Sequence, residues 1–172
     1  SRGITLLAAR ATAPAGKLLE IHPSRVDALR AAWPLLLVEA DGSKRLPLKA
    51  PAPWEPVVPD GTDLVVGVVG LDALGWPMDE RTVHRPDRFA AVTGCAPGSP
   101  IGWDHIVALA RHPEGLFKGA RGRRLALLNK VDEAPFLPSP GQLGALAADL
   151  VLLSGADDEG RSFYTARREP AP

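Results

Sequence analysis

The sequence predicts an α/β fold: a mainly parallel sheet of about five strands with helices on both faces. Two observations carry this expectation. Apolar runs too continuous for a one-sided sheet recur at Leu35–Val38, Leu64–Val69, Leu125–Leu128 and Leu150–Leu153. Stretches with apolar residues at helical spacing alternate with them. Charged and small residues follow three of the runs, so the carboxyl edge of the sheet is where ligand chemistry is expected.

Taken in order, Ile4–Ala9 reads as a short strand, and Ala13–Gly16 as a loop. Ser24 has the character of an N-cap, since Val26, Leu29 and Trp33 follow at helical spacing before Pro34 stops the helix. The run 35–40 is expected as a strand buried on both faces. Prolines crowd residues 45–63, which excludes a helix or central strand and leaves a stiffened loop. Asp63–Gly70 is the clearest strand, β-branched and too continuous for an edge. A second loop passes through Trp76-Pro77 to His84-Arg85-Pro86, where Pro86 is the first residue of a helix ended by Gly94. Trp103–His112 is a helix with Ile106, Val107, Leu109 and Ala110 on its apolar side. Gly115–Arg124 is a basic, flexible approach to the strand Leu125–Leu128, after which Gln142–Ala148 is helical. Asp149–Leu153 is a last strand ending at Ser154-Gly155, and the polar tail from Asp157 is frayed. The domain expected is therefore 1–156, with insertions near 45–63 and 76–100 and a tail at 157–172.

Composition narrows the function classes. The formal net charge is +0 over 172 residues, so no bulk field draws the chain to nucleic acid or an anionic membrane. Cys95 is the single cysteine, which excludes an internal disulfide and fits a reducing cytoplasm. No basic region precedes a long apolar run at the start, and no run is long enough to span a bilayer. No histidine pair has metal-ligand spacing, and no G-x-S-x-G elbow occurs. Lys44, Arg45 and Lys49, and separately Lys118, Arg121, Arg123 and Arg124, form basic clusters whose plain reading is a solvated surface.

Asn129-Lys130-Val131-Asp132 is the most specific motif. At average usage an N-K-x-D match arises by chance in about one chain in fifty of this length. An aspartate carboxylate accepts two parallel hydrogen bonds from the N1–H and 2-amino group of guanine, a donor pair that adenine lacks. The lysine stem covers one face of the base, and asparagine ties neighbouring loops together. Its plain alternative is a polar turn after a strand. Leu153-Ser154-Gly155 resembles the small-residue loop that closes over guanine in GTP-binding proteins. Glu39-Ala40-Asp41-Gly42 falls where such proteins carry Asp-x-x-Gly. There Glu39 and Asp41 would serve Mg²⁺ and catalysis, and the Gly42 N–H a terminal phosphate. The phosphate-cradling G-x-x-x-x-G-K-[ST] loop has no match in these residues.

Seven motifs in order carry a wider resemblance: Val38–Lys44, Pro47–Pro51, Glu55–Pro59, Val69–Gly75, His84–Pro86, Gly115–Gly119 and Leu128–Asp132. Together they resemble the YqeC family, the selenium-dependent hydroxylase accessory proteins, from about Gly3 to Ser154. The resemblance implies a P-loop NTPase-like fold, here without its first strand and phosphate loop, with Ser1 marking a truncation or a start within the family domain. It implies a cytoplasmic accessory protein for maturation of selenium-dependent molybdenum hydroxylases. The complete protein is expected to bind a nucleoside triphosphate, GTP favoured, with Mg²⁺, whereas this chain alone is expected to be inactive. Asn129, Lys130, Asp132, Ser154 and Gly42 are the expected nucleotide residues, with Glu39 and Asp41 at the metal. Lys49, His84 and Arg85 are the expected contacts to a second substrate or a partner, such as the hydroxylase or its cofactor-maturation proteins. The alternative is a non-catalytic scaffold that holds a molybdenum cofactor precursor or docks on the hydroxylase.

Overall fold

β-Branched and leucine-rich runs form the strands at the centre of the fold, and their registers set which residues meet at the edge. The computed structural model describes residues 11–12, 17–18, 21–22, 25–157 and 160–167. The chain divides into two units, Ser1–Glu39 and Ala40–Pro172.

In the first unit, β1 (Ala11–Thr12) pairs antiparallel with β2 (Lys17–Leu18). The strand expected at Ile4–Ala9 and the N-cap expected at Ser24 lie outside the described residues. Helix α1 (Val26–Ala32) has Arg25 at its N-cap position, without a side-chain cap. Trp33 is extended, with φ −131° and ψ 133°. The ring of Pro34 bars the α region to the residue before it, which ends the helix where the sequence predicts. The run 35–40 is not a strand. It has no ladder partner among the described residues, and Leu35 and Leu37 are 73% and 84% exposed. An apolar run supplies strand propensity, but a parallel strand also needs a neighbour for its backbone groups.

In the second unit, β3 (Leu48–Lys49) within the proline-rich loop pairs parallel with β5 (Val83–His84). Between them in sequence lie β4 (Leu64–Gly70) and a 3-10 turn, Leu71–Ala73. The larger sheet has the order β4–β6–β7–β8, with β6 at Arg123–Asn129, β7 at Leu150–Asp157 and β8 at Gly160–Arg167. β4, β6 and β7 run parallel, and β8 returns antiparallel to β7. The expected α/β architecture is therefore present, its parallel strands shared between two sheets.

Three expectations about strands are corrected. Among the described residues β4 stands at an edge of its sheet, with Val66 and Val68 47% and 55% exposed on one face while Val69 enters the core. β-Propensity marks a strand but does not distinguish centre from edge. β7 runs through Ser154-Gly155 and does not end there. The expected frayed tail contains β8, whose Phe163-Tyr164-Thr165 has the β-propensity to extend the sheet.

Helices α2 (Pro86–Thr93) and α3 (Trp103–Arg111) match their sequence signals, including Pro86 at the first turn and Gly94 at the C-cap. They contribute Phe89, Ile106 and Leu109 to one core with Val69, Ala126, Leu128 and Val151 of the sheet. Helix α4 (Pro140–Gly144) begins earlier and is shorter than the expected 142–148. A capping box sets its start: Gln142 N donates to Ser139 Oγ, and Ser139 N to Gln142 Oε1. None of the helices among the described residues is long and apolar enough to cross a membrane.

Candidate functional site

Register aligns the ends of β4 and β6 with Ser154 inside β7. Gly70 of β4 is opposite Asn129 of β6, which is opposite Ser154 of β7. The residues that follow β4 and β6 therefore emerge side by side, next to Ser154 in the middle of β7. Ser154 is buried, and its Oγ donates to Asn129 Oδ1 at 2.8 Å. Val131 N donates to Ser154 O at 3.1 Å, and Ala156 N donates to Asp132 Oδ1 at 3.0 Å. The end of β6 and the loop after it are thus fastened to β7 by three hydrogen bonds. Gly155 makes this approach possible, because a Cβ there would stand 2.6 Å from Asp132 Oδ1 and 2.8 Å from Val131 Cγ2.

Lys130 occupies the left-handed region at φ 59° and turns back toward β4. Its Nζ lies 2.6 Å from Asp72 Oδ2, on the 3-10 turn after β4. That hydrogen bond, opposed by partial burial, raises the lysine pKa above its ordinary value. Asp72 Oδ1 is buried without a hydrogen-bond partner. The structure therefore brings Asn129, Lys130, Asp132 and Ser154 together and adds Asp72. Sequence reasoning placed Asp72 in a motif without giving it a role, since its partner is 58 positions away. Asp132 is exposed and retains acceptor capacity beyond its bond from Ala156.

A second cluster assembles on β3 and β5. Their register sets Lys49 beside His84, and Arg85 follows at the N-cap of α2. The expected trio Lys49, His84 and Arg85 is thus brought together, but around a residue given no role by the sequence. Glu55 accepts a two-pronged bond from Arg85, 2.6 Å to Oε2 and 3.0 Å to Oε1. Lys49 Nζ lies 2.7 Å from the same Oε2. Chiefly through Arg85, with Lys49 adding to it against the cost of burial, the Glu55 carboxyl is held down to about 2. Burial, followed by the charges of Arg85, Lys49 and Lys44, pushes the His84 imidazole below its ordinary value. A neutral His84 at pH 7 follows.

Asp41 also belongs to this cluster. Its Oδ1 accepts from Lys49 Nζ and, at 2.8 Å, from Gly42 N. Gly42 N is thereby turned to its neighbour's carboxylate, and Gly42 O accepts from Lys49 Nζ at 2.8 Å. Glu39 is exposed at the end of the first unit. One of the two Asp41 oxygens, Oδ1, is thus engaged by an ammonium and an amide. Among the described residues no group of three or more His, Cys, Asp or Glu is placed to hold a metal.

The basic residues before β6 have structural partners. Lys118 Nζ donates to the carbonyls of Ala52 and Pro53 at 2.9 and 3.1 Å. Arg88 Nε donates to Pro51 O at 2.7 Å, and Arg121 pairs with Asp60. Cations from three places in the sequence thus pin the proline-rich loop, whose prolines leave fewer amide donors for a ladder of its own.

Comparison with known proteins places these residues in context. The family model described as YqeC protein matches residues 1–87, which include Asp41, Lys49, Glu55, Asp72, His84 and Arg85. A relative from Escherichia coli (strain K12), named "Uncharacterized protein YqeC", is 38% identical over 122 residues. That match covers 69% of this chain and 48% of the relative, so the chain spans about half the length of the curated relative it matches. No solved structure matches. With ordered motifs, a family model covering half its length and a relative of this identity, the chain belongs to the YqeC family.

Proposed function

We propose that the carboxyl edge of β4–β6–β7 is the base-recognition part of a nucleotide-binding accessory protein, with guanine the favoured base. The supporting observation is the fastening of Asn129–Asp132 to Ser154 and Ala156 of β7, which holds an exposed carboxylate just past the end of β6. A carboxylate so held accepts the N1–H and 2-amino donors of guanine together, and finds no such pair on adenine. Lys130 lies alongside with its aliphatic stem available to cover the base. The physiological role that goes with this reading is cytoplasmic maturation of selenium-dependent molybdenum hydroxylases, supported by the seven ordered motifs rather than by the site. Phosphate and Mg²⁺ contacts are not assigned to Asp41, whose oxygen is held by Lys49.

Calorimetric titration of the full-length protein with GTP, ATP and CTP tests the proposal. GTP is expected to bind most tightly, and Asp132→Ala to weaken it by about 100-fold or more, the loss expected when a site's paired hydrogen bonds go unmade. Equal affinity of Asp132→Ala and the unaltered protein for GTP would overturn the guanine assignment.

One observation favours a second reading, a scaffold that docks on the hydroxylase or holds a cofactor precursor. Trp54 is 72% exposed on the proline-rich loop that Lys118 and Arg88 hold in place. A fixed, exposed indole suits an anchor for a partner protein. A full-length protein that binds none of the three nucleotides supports this second role.

A further inference from the structure

We infer that Asp72 is a positioning residue for the base site, holding Lys130 so that its stem lies over a base bound at Asp132. The inference rests on the guanine reading above and adds a residue from a different strand end. Its basis is local geometry that a plain turn does not require.

Asp72 is two residues beyond Gly70, and Gly70 is in register with Asn129. The turn after β4 therefore runs beside the loop after β6. The carboxylate is largely withdrawn from water, at 18% side-chain exposure, and reaches Lys130 Nζ with Oδ2. Its other oxygen is buried and unpartnered. Such an oxygen raises the free energy of the folded state, and an exposed carboxylate at a turn would avoid the penalty. Gly70 provides the space, since a Cβ there would stand 2.5 Å from Asp72 Oδ1 and 2.7 Å from Pro47 Cβ.

Lys130 carries a second penalty. A non-glycine residue at φ 59° is disfavoured sterically, and glycine or asparagine would relieve it. Two departures from the least costly local structure thus converge on one ion pair. Strain of this kind clusters where a side chain must be aimed. The ammonium is anchored at Asp72 and the α-carbon at the strand end beside Asn129. The methylene stem between these anchors is the part left to form an apolar cover.

The test is binding of GDP and inosine diphosphate to the full-length protein and to Asp72→Asn, Lys130→Met and the double variant. Inosine diphosphate keeps the N1–H and lacks the 2-amino group, so the ratio of the two affinities reports on Asp132 alone. Asp72→Asn is expected to weaken both ligands about tenfold, leaving their ratio unchanged, the size of effect expected when a charge-assisted anchor is lost. Lys130→Met is expected to weaken them similarly, and the double variant no further than Lys130→Met. A purely structural Asp72 predicts a lower melting temperature with affinities unchanged within twofold, which would overturn the inference. Additive losses in the double variant would also overturn it. Lys130→Met guards against misfolding of Asp72→Asn, because Lys130 is 40% exposed and removes the same contact from the solvent side. If the unaltered protein binds neither diphosphate, the base reading fails and this one with it. If it binds GDP and both single variants bind equally well, only the positioning role fails.

Discussion

Glu55→Ala is expected to lower the melting temperature by about 4–10 °C at neutral pH, and by much less near pH 2. Glu55 bonds both Lys49 and Arg85, so its loss leaves Arg85 without its two-pronged acceptor. The carboxyl is held at about 2 against an ordinary 4.5, so its charged form is favoured by folding. A depression of this size corresponds to about 2–3 kcal/mol after allowance for screening of a partly exposed pair. The sign follows from proton binding. Below pH 4.5 the unfolded chain takes up a proton that the folded chain still refuses, so stability falls as the pH drops through this window toward 2. The difference between the unaltered protein and Glu55→Ala therefore narrows across that window. Thermal unfolding followed by circular dichroism between pH 7 and pH 2 measures it. A constant difference at all pH values would exclude the ionic origin.

Gly115→Ala is expected to destabilise the protein by about 3 kcal/mol or more, the upper range for forcing extra volume into a packed site. Gly115 is buried after the last turn of α3, where its N–H donates to His112 O and Leu116 N donates to Leu109 O. A Cβ at Gly115 would collide with the Leu109 carbonyl oxygen, a backbone atom that cannot rotate aside. Relief requires Leu116 to move, yet Leu116 fills the space above Gly67, where a Cβ would lie 2.5 Å from Leu116 Cγ. The collision is therefore passed from α3 to β4. Urea unfolding monitored by tryptophan fluorescence reads the loss as a lower midpoint with an unchanged slope. A loss below about 1 kcal/mol would mean that the α3 terminus yields more readily than its hydrogen bonds imply.

Local chemistry made much of this fold readable from sequence. β4, α2 and α3 carry their own signals in branched residues, Pro86, Gly94 and helical spacing. The strand ending in Asn129 was equally legible, and with it the motif that the register brings against Ser154. Other features depend on partners far along the chain. Leu35–Val38 has the composition of a buried strand, but ladder formation depends on a neighbour, and composition does not supply one. Gly115–Gly119 reads as flexible because two glycines frame it, whereas long-range contacts pack Gly115 and Leu116 tightly. Glu55 meets Arg85 across 30 positions and Asp72 meets Lys130 across 58, so neither carboxylate has a local signature. Asp41 was read from its immediate neighbours in sequence, and its ion-pair partner Lys49 lies eight positions further on.

The short pairing of Leu48–Lys49 with Val83–His84 has a consequence for exchanging parts between relatives. Together with Glu55–Arg85 and the Arg88 bond to Pro51, it joins the segment 45–63 to the segment 76–100. Neither segment is a self-contained cassette. A chimaera that receives one of them from a relative inherits half of a parallel ladder and half of an ion pair. Grafts that preserve the fold must carry both segments, so variation in the two is expected to be inherited as a single block.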